Sequence, residues 1–529
     1  MAKIKVELNR SPEAGHILQW GFRGRNNHNR IETNAAIKVP IFTSHKNKII
    51  LGMSSSSECT IKLKYAEEQN RINITKGKNK EYEFTVSEDI TAGQTELFIE
   101  IETPLNKKPV VDQYGRVENI TLQYVIIQSE DASVNDITLK GRIQTLNPVL
   151  DWSNYSIEHQ KTLRSVDSFK YNEERFTTPD FSLFWGDLHV HSSYSRCGGK
   201  NGSLEENYEF GRDVEKLDFM SITDHDYLTD QDWQTYCCTA NAYNKSGNFV
   251  TFIGKEWTSF DYGHKNIYYK GDHGPNINCW HAESNTPKKL YKKLKSIKEE
   301  AVLIPHHPSQ TQHLLNWDYY DEELERLVEI FSGWGNSEYY DAPIQDKQKT
   351  VPGFSVQDAL TRGHKLGFIG GSDAHVTMAG CAGMMGVYAK ELSRQSIWEA
   401  IKARRVYATT GARMKVSFNI NGFFMGSVIS INQYTIDSLF PLSISIAVIS
   451  EAPLAKVELL ENNCVIHTHT KWELKDSRMA YNVTVENEGV NVANGRRHYY
   501  IRASQYDGHI AWSSPIWIDF TMQEKQENN

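Results

Sequence analysis

Apolar and polar positions follow three textures along the chain. Up to about residue 180 they alternate in short runs, at 48–51, 60–65, 82–86, 96–101 and 120–127, broken by polar turns. A period of two puts successive side chains on opposite faces and marks half-buried strands, so residues 1–180 are expected to form an N-terminal β-sandwich-like domain. From 181 to 413, apolar runs at 181–185, 217–222, 249–253, 302–304, 327–331 and 366–369 alternate with helix signals. Ser203 and Glu206 have the spacing of a capping box. Thr286 before Pro287 reads as an N-cap, with Leu290, Leu294 and Ile297 on one face of the helix that follows. Ser355 with Asp358 opens another helix, which Gly363 can end. Strands that alternate with helices pair in parallel, and no glycine-rich nucleotide fingerprint follows the first of them, which favours a β/α barrel over an open sheet. Strand texture returns at 414–420, 442–446, 457–460, 499–501 and 516–518. It predicts a C-terminal β-sandwich over 414–522, ahead of a frayed tail at 523–529.

Composition narrows the classes. The 529-residue chain has a formal net charge of −8 and 39% hydrophobic residues, which fits a soluble globular protein and gives no sign of a nucleic-acid surface or a membrane span. Met1 leads directly into polar sequence without an apolar signal-peptide core, so a cytoplasmic location is expected. Seven cysteines without a CxxC pair read as reduced thiols, and the adjacent Cys237 and Cys238 are expected to be buried and unbridged. Homo-oligomerisation is left open.

Chemically capable side chains gather just behind the apolar runs of the middle region. His189 and His191 follow the first run, Asp224 and His225 the second, and Glu256 the third, with His264 close behind. His306 and His307 follow the fourth run, and Asp373 and His375 the last. A His-x-His pair in extended chain puts both imidazoles on one side, able to share an ion, and in a β/α barrel the C-terminal strand ends converge on one mouth. Each cluster alone is a weak signal, whereas five in order, each behind a strand, make chance a poor account. His467 and His469 form another such pair, but no partner motif accompanies them, and they are expected to face solvent from a sandwich strand.

This series resembles the PHP (polymerase and histidinol phosphatase) superfamily, specifically its branch of uncharacterised metallohydrolases with flanking β domains. The most distinctive motifs are residues 370–375 (GGSDAH) and 406–411 (VYATTG), and residues 499–503 (YYIRA) and 511–517 (AWSSPIW) resemble the same branch. The resemblance implies a distorted (β/α)7 barrel between the two sandwiches. It also implies a metal-dependent phosphoesterase, a phosphomonoesterase in preference, acting on a small phosphorylated molecule with metal-activated water as nucleophile. His189, His191, Glu256 and Asp373 would hold one divalent ion. Glu256 would bridge to a second, held also by His264 and His307, the latter preferred over its neighbour His306. His225 and His375 would belong to a third, with Asp224 ligating or orienting. Arg196 departs from the motif, standing where the family carries Asp or His; a guanidinium does not ligate, so two ions are expected, Zn, Mn or Fe. Cys197 beside it is a weaker alternative ligand. Trp334 departs too, since relatives carry His there. Asp224, Arg196 and His306 are the candidate catalytic residues, and Arg196, Lys255, Arg405 and Arg413 the candidate phosphate partners. The rival readings are an amidohydrolase-type enzyme and a glycan- or protein-binding chain with a weakened barrel.

Overall fold

The alternation read at residues 60–65 and 96–101 becomes strands that bury every second side chain, Cys59–Tyr65 and Glu96–Glu102. The structure, a computed structural model, describes residues 2–7, 18–23, 30–55, 58–103, 120–130, 132, 180–197, 201–310, 314–343, 350–375, 377, 379–380, 382–432, 442–450, 454–469, 480–487, 496–505 and 508–521. The expected tail, 523–529, lies outside them. Strands predominate and helices are few and short. The chain divides into two compact units, one of residues 1–171 with the short pieces 213–215 and 506–508, the other holding the rest. In the first unit nine strands join in one antiparallel sheet around Ile37, Ile49, Leu63, Ile99 and Ile127.

The second unit carries the histidines. Its leading strands are β1 (Ser182–Asp187), β2 (Phe219–Ile222), β3 (Val250–Ser259), β4 (Gly263–Tyr269), β5 (Ala301–Pro305), β6 (Leu327–Ser332), β7 (Gly367–Gly370), β8 (Met384–Ala389) and β9 (Val406–Thr409). β1, β2 and β3 pair in parallel, as the strand and helix alternation predicts. The capping boxes at Ser203 and Ser355 and the Thr286 N-cap are present at the expected helix starts.

The strand order differs from the expected parallel series in one place. β3 turns straight back into β4 as an antiparallel hairpin, and β4 pairs antiparallel with β5. Gly263, at φ 81°, permits the reversal, and a Cβ there would lie 2.6 Å from the Leu315 backbone. β6 pairs in parallel with β7. Two parallel bridges, His306 with Glu329 and Val190 with Ala374, link the end of β5 to β6 and the end of β1 to that of β7. Each of β1 to β7 therefore has a bonded neighbour on both sides.

At the outer edge of β1 the sheet continues through antiparallel β8 and β9. β9 then pairs with Ile510–Ser513, Tyr407 opposite Ser513 and Thr409 opposite Ala511, so hydrogen bonding crosses the boundary expected at 413. A separate four-stranded sheet, including Lys415–Ile420 and Leu442–Ile449, contributes Phe418, Ile444, Ile446 and Val448 to a core shared with Leu459, Ile501 and Ile518. Cysteines 197, 237, 238, 279 and 464 are free. Cys237 is half-buried and Cys238 exposed, not both buried, because neighbours on the helix Asp230–Tyr243 point about 100° apart. Among the described residues no helix is long and apolar enough to cross a membrane.

Candidate metal centre

The Val190–Ala374 bridge assembles half of the centre. Residues i and i+2 of extended chain share a face, so bridging the two middle residues sets His189 and His191 beside Asp373 and His375. His191 N donates to Ala374 O (3.0 Å) and Asp373 N to His189 O (2.8 Å). The β3–β4 hairpin supplies another part. Thr258 pairs with His264, and Glu256 lies two residues along on the same face, in diagonal contact. β3 thus runs through Glu256, which the sequence reading had placed beyond its strand. Asp373 (φ 47°) and His307 (φ 33°) sit in the left-handed region. That backbone costs a non-glycine residue roughly 1–2 kcal/mol and persists where its surroundings impose it.

Glu256 is the hub. Its Oε2 lies 3.5 Å from His191 Nε2 and 3.0 Å from His225 Nδ1, and its Oε1 lies 2.7 Å from His264 Nδ1 and 3.6 Å from His306 Nε2. Asp373 Oδ1 approaches His191 Nε2 (3.0 Å), His189 Nε2 (3.5 Å) and His375 Nδ1 (3.5 Å), while Oδ2 is 4.0 Å from His307 Nε2. Three groupings have donor atoms within 4.8 Å of one another: His189–His191–Glu256, His264–His306–His307, and His191–Cys197–His225–His375. His306 and His307 stand in the same grouping.

These atoms have the chemistry of ion ligands. His189 Nε2, His191 Nε2, both ring nitrogens of His306, Glu256 Oε1 and Asp373 Oδ1 are buried without a well-formed hydrogen bond among the described residues, despite the close approaches above. Each such atom costs about 1–3 kcal/mol. Imidazole nitrogens and carboxylate oxygens converging in this way fit a divalent cation.

The outer faces of the rings are anchored. Both oxygens of Glu329 reach His189 Nδ1, at 3.0 and 3.2 Å, which leaves Nε2 turned to the centre. Ser195 Oγ lies 2.7 Å from His191 Nδ1 and donates to Asp224 Oδ1 at 2.5 Å. Asp224 also accepts from Ser192 N (2.7 Å) and Ser192 Oγ (2.5 Å). Its oxygens are thus taken by serine donors, it enters none of the three groupings, and Ser195 links it to His191. The sequence reading missed Glu329 and Ser195.

Burial opposes charge throughout the centre, and neighbours decide the outcome. Asp373 and Glu329 push His189 up to about 10, and Glu256 pushes His225 up to about 11. Burial raises Glu329 to about 7. His225 and His264 outweigh burial to hold Glu256 well below the usual carboxylate range. Burial and the neighbouring His189 bring His306 down to about 4, and burial with His375 and His225 holds His191 down, so both rings are in the neutral, ligating form. Hydrogen bonds to His225 and His375 outweigh burial and bring the Cys197 thiol down to about 6. Ions would supply the positive charge that protons on His189 and His225 otherwise provide.

Three of the four expected phosphate partners are engaged elsewhere. Lys255 is fully buried, bonded to Asn276 Oδ1 (2.6 Å) and Asn278 Oδ1 (2.5 Å) and paired with Asp226 Oδ1 (3.1 Å). As the strand neighbour of Glu256 it points to the opposite face. Arg405 stacks on Phe181 (4.3 Å) and donates to Tyr388 O. It precedes β9, which runs parallel to β1, so it lies at the end of the sheet away from the histidines. Arg413 donates to Lys216 O (3.0 Å). Arg196 is exposed, with φ 55°, at the end of the turn Ser193–Ser195; the next residue, Cys197, joins the histidines instead. Trp334 lies 6.4 and 6.0 Å from the His307 and His375 rings. His467 and His469, half-buried on the outermost strand Cys464–His469, enter none of the groupings.

Gly371 gives the anchoring a test. A Cβ there would lie 2.2 Å from Glu329 Oε2 and 2.9 Å from His189 Cβ, and Glu329, pinned by His189, has no cheap way to yield. Gly371→Ala is expected to weaken metal binding by roughly 10–100-fold, as loss of an outer partner does, and to lower Tm. Unchanged affinity in a metal titration would show the Glu329 contact to be dispensable.

The family model described as "Protein of unknown function (DUF3604)" matches residues 214–338 and 361–434. That span holds Asp224 through His307, Asp373 and His375, and excludes His189 and His191. The chain is 28% identical over 379 residues to an uncharacterised protein of Chlamydia pneumoniae, covering 64% of this chain and 57% of that protein. It is 29% identical over 376 residues to an uncharacterised protein of Chlamydia trachomatis serovar D, covering 65% and 58%. It therefore spans less than two thirds of the length of either relative. Among solved structures it is similar to a two-domain protein of Bacteroides vulgatus described as containing a predicted PHP-like metal-dependent phosphoesterase. That likeness has 15% identity and a TM-score of 0.34, over 64% of this chain and 98% of the other.

Proposed function

We propose that this centre binds divalent ions and hydrolyses phosphate esters, monoesters in preference, at the mouth of a barrel-like ring formed by β1 to β7. The observation that carries the reading is Glu256, one buried carboxylate whose two oxygens face histidines of different groupings, His191 and His225 on one side and His264 and His306 on the other. His189, His191, Glu256 and Asp373 would hold one ion, and Glu256 with His264, His306 and His307 a second. The donor set suits Zn, Mn or Fe. When bound, such ions lower the pKa of water toward about 7 and act as Lewis acids for phosphoryl oxygens. The chain's own work is orientation. Glu329 and the Asp224–Ser195 pair fix the rings of His189 and His191, and Arg196 is the remaining sequence candidate for a phosphate oxygen.

Protein stripped with chelator and reloaded with Mn, Zn or Fe(II) is to be assayed on p-nitrophenyl phosphate, its diester and an anilide. Phosphate ester turnover that vanishes with chelator and returns with the ion is expected. Turnover of the anilide alone would replace this reading with the amidohydrolase one.

A further inference from the structure

The third grouping contains a donor of a different kind. Ser192 to Cys197 form a tight turn around Ser193–Ser195, and the left-handed Arg196 redirects the chain so that Cys197 faces the histidines while Arg196 stays outside. Asn201 closes the turn, its Nδ2 donating to Cys197 O (2.7 Å) and Ser192 O (3.2 Å), and Asn207 holds Asn201 in place through Asn201 O (2.7 Å). The Cys197 sulfur is within 4.8 Å of donor atoms of His191, His225 and His375. A second, independent observation points to a ligand at this end of the centre: His191 Nε2, its other nitrogen fixed by Ser195, is fully buried without a well-formed hydrogen bond and belongs both to this grouping and to that of His189 and Glu256; where it serves the first ion, Cys197, His225 and His375 hold the ion of this corner.

We propose that Cys197 is a metal ligand, so that this corner of the centre takes its own divalent ion through one thiolate and histidine nitrogens. On binding, the Cys197 proton passes to solvent and the sulfur donates its lone pair to the ion. Thiolate is a soft donor that favours Zn, Fe(II) or Co(II) over Mg or Mn, whereas the all-oxygen-and-nitrogen groupings around Glu256 discriminate less. The departure from the family motif at Arg196 is therefore compensated one residue later, and the expected count of two ions becomes an underestimate. The inference rests on the reading of the histidine cluster as a metal centre and is independent of the reaction performed there.

The test uses the full chain loaded with Co(II), whose thiolate bonds give a near-ultraviolet charge-transfer band, with cobalt content measured in parallel. The band is expected in the natural protein and lost in Cys197→Ser. Iodoacetamide followed by peptide mass spectrometry provides a second readout: Cys197 should be alkylated in the stripped protein and protected after loading, with the exposed Cys238 and Cys464 labelled in both states as internal controls. Bound cobalt without the band, or a band that survives Cys197→Ser, overturns the Cys197 assignment alone. Equal alkylation with and without ion identifies Cys197 as a free thiol and does the same. A chain that takes up no cobalt overturns the metal-centre reading along with it.

Discussion

Glu256→Gln is expected to lose bound metal and activity together, by at least about 100-fold in kcat/KM, whereas Asp224→Asn should cost on the order of 10-fold. The two carboxylates are both buried, so burial alone does not separate them. Their partners do. Glu256 faces four imidazoles at 2.7 to 3.6 Å, and its amide would keep the shape but remove the charge that balances two cations. Asp224 spends its oxygens on Ser192 and Ser195 and reaches the centre through His191. Asp224→Asn should therefore bind the same number of ions more weakly, because Ser195 is less firmly held. Metal analysis at saturating ion together with steady-state kinetics checks both variants. Losses of equal size would show that Asp224 ligates after all.

Glu338→Ala is expected to destabilise the protein by about 3–5 kcal/mol, the range for removing one partner from a buried ionic network. Glu338 is 1% exposed and accepts from Tyr500 Oη (2.8 Å), from Arg502 Nη1 at both oxygens (2.9 Å each) and from Trp512 Nε1 (2.8 Å). Alanine would leave a phenol, an indole and part of a guanidinium facing a void. Glu458 still holds Arg502 Nε (2.8 Å), so Arg502 is not wholly stranded. Glu338→Gln should cost less, since an amide oxygen can accept from some of the same donors. Urea denaturation reads both, and a loss under about 1 kcal/mol for Glu338→Ala would show that the network contributes little.

The Glu338 network also explains why residues 499–503 and 511–517 stand out in the sequence. Tyr500, Arg502 and Trp512 converge on one carboxylate that follows Trp334, and Gly333 N of that segment donates to Ser372 O, next to Asp373. The motif marks a joint built on Glu338.

Where the sequence was legible, a single physical signal was strong. Strands such as Cys59–Tyr65 alternate cleanly, and the His-x-His spacing places two rings on one side whatever surrounds them. β4 was missed because every residue from Gly263 to Tyr269 is buried, so no alternation survives; Lys265 within it is paired with Glu325. β8 and β9 are buried on both faces and equally silent to a period-two search. Glu329 sits in an apolar run, where a lone acid reads as the solvent side of a strand; both faces of β6 are in fact covered. Lys255 could have been placed correctly from Glu256 alone, because neighbours in a strand point apart. Cys197 was outweighed by the charge of Arg196, and only the left-handed backbone at Arg196 shows which of the two turns inward.

The unbroken sheet from β1 through β8 and β9 into Ile510–Ser513 bears on how this chain can be shortened. A cut after residue 413 does not release a finished core from an ornament. It strips Tyr407 and Thr409 of the backbone partners they share with Ser513 and Ala511, turns the fully buried β9 into a bare rim two strands from the one that leads into His189 and His191, and deletes the donors that keep Glu338 in place. A rim of that kind recruits other chains edge to edge. The strands after residue 413 thus continue the sheet that leads into His189 and His191, and a metal centre moved to a shorter chain has to bring them along.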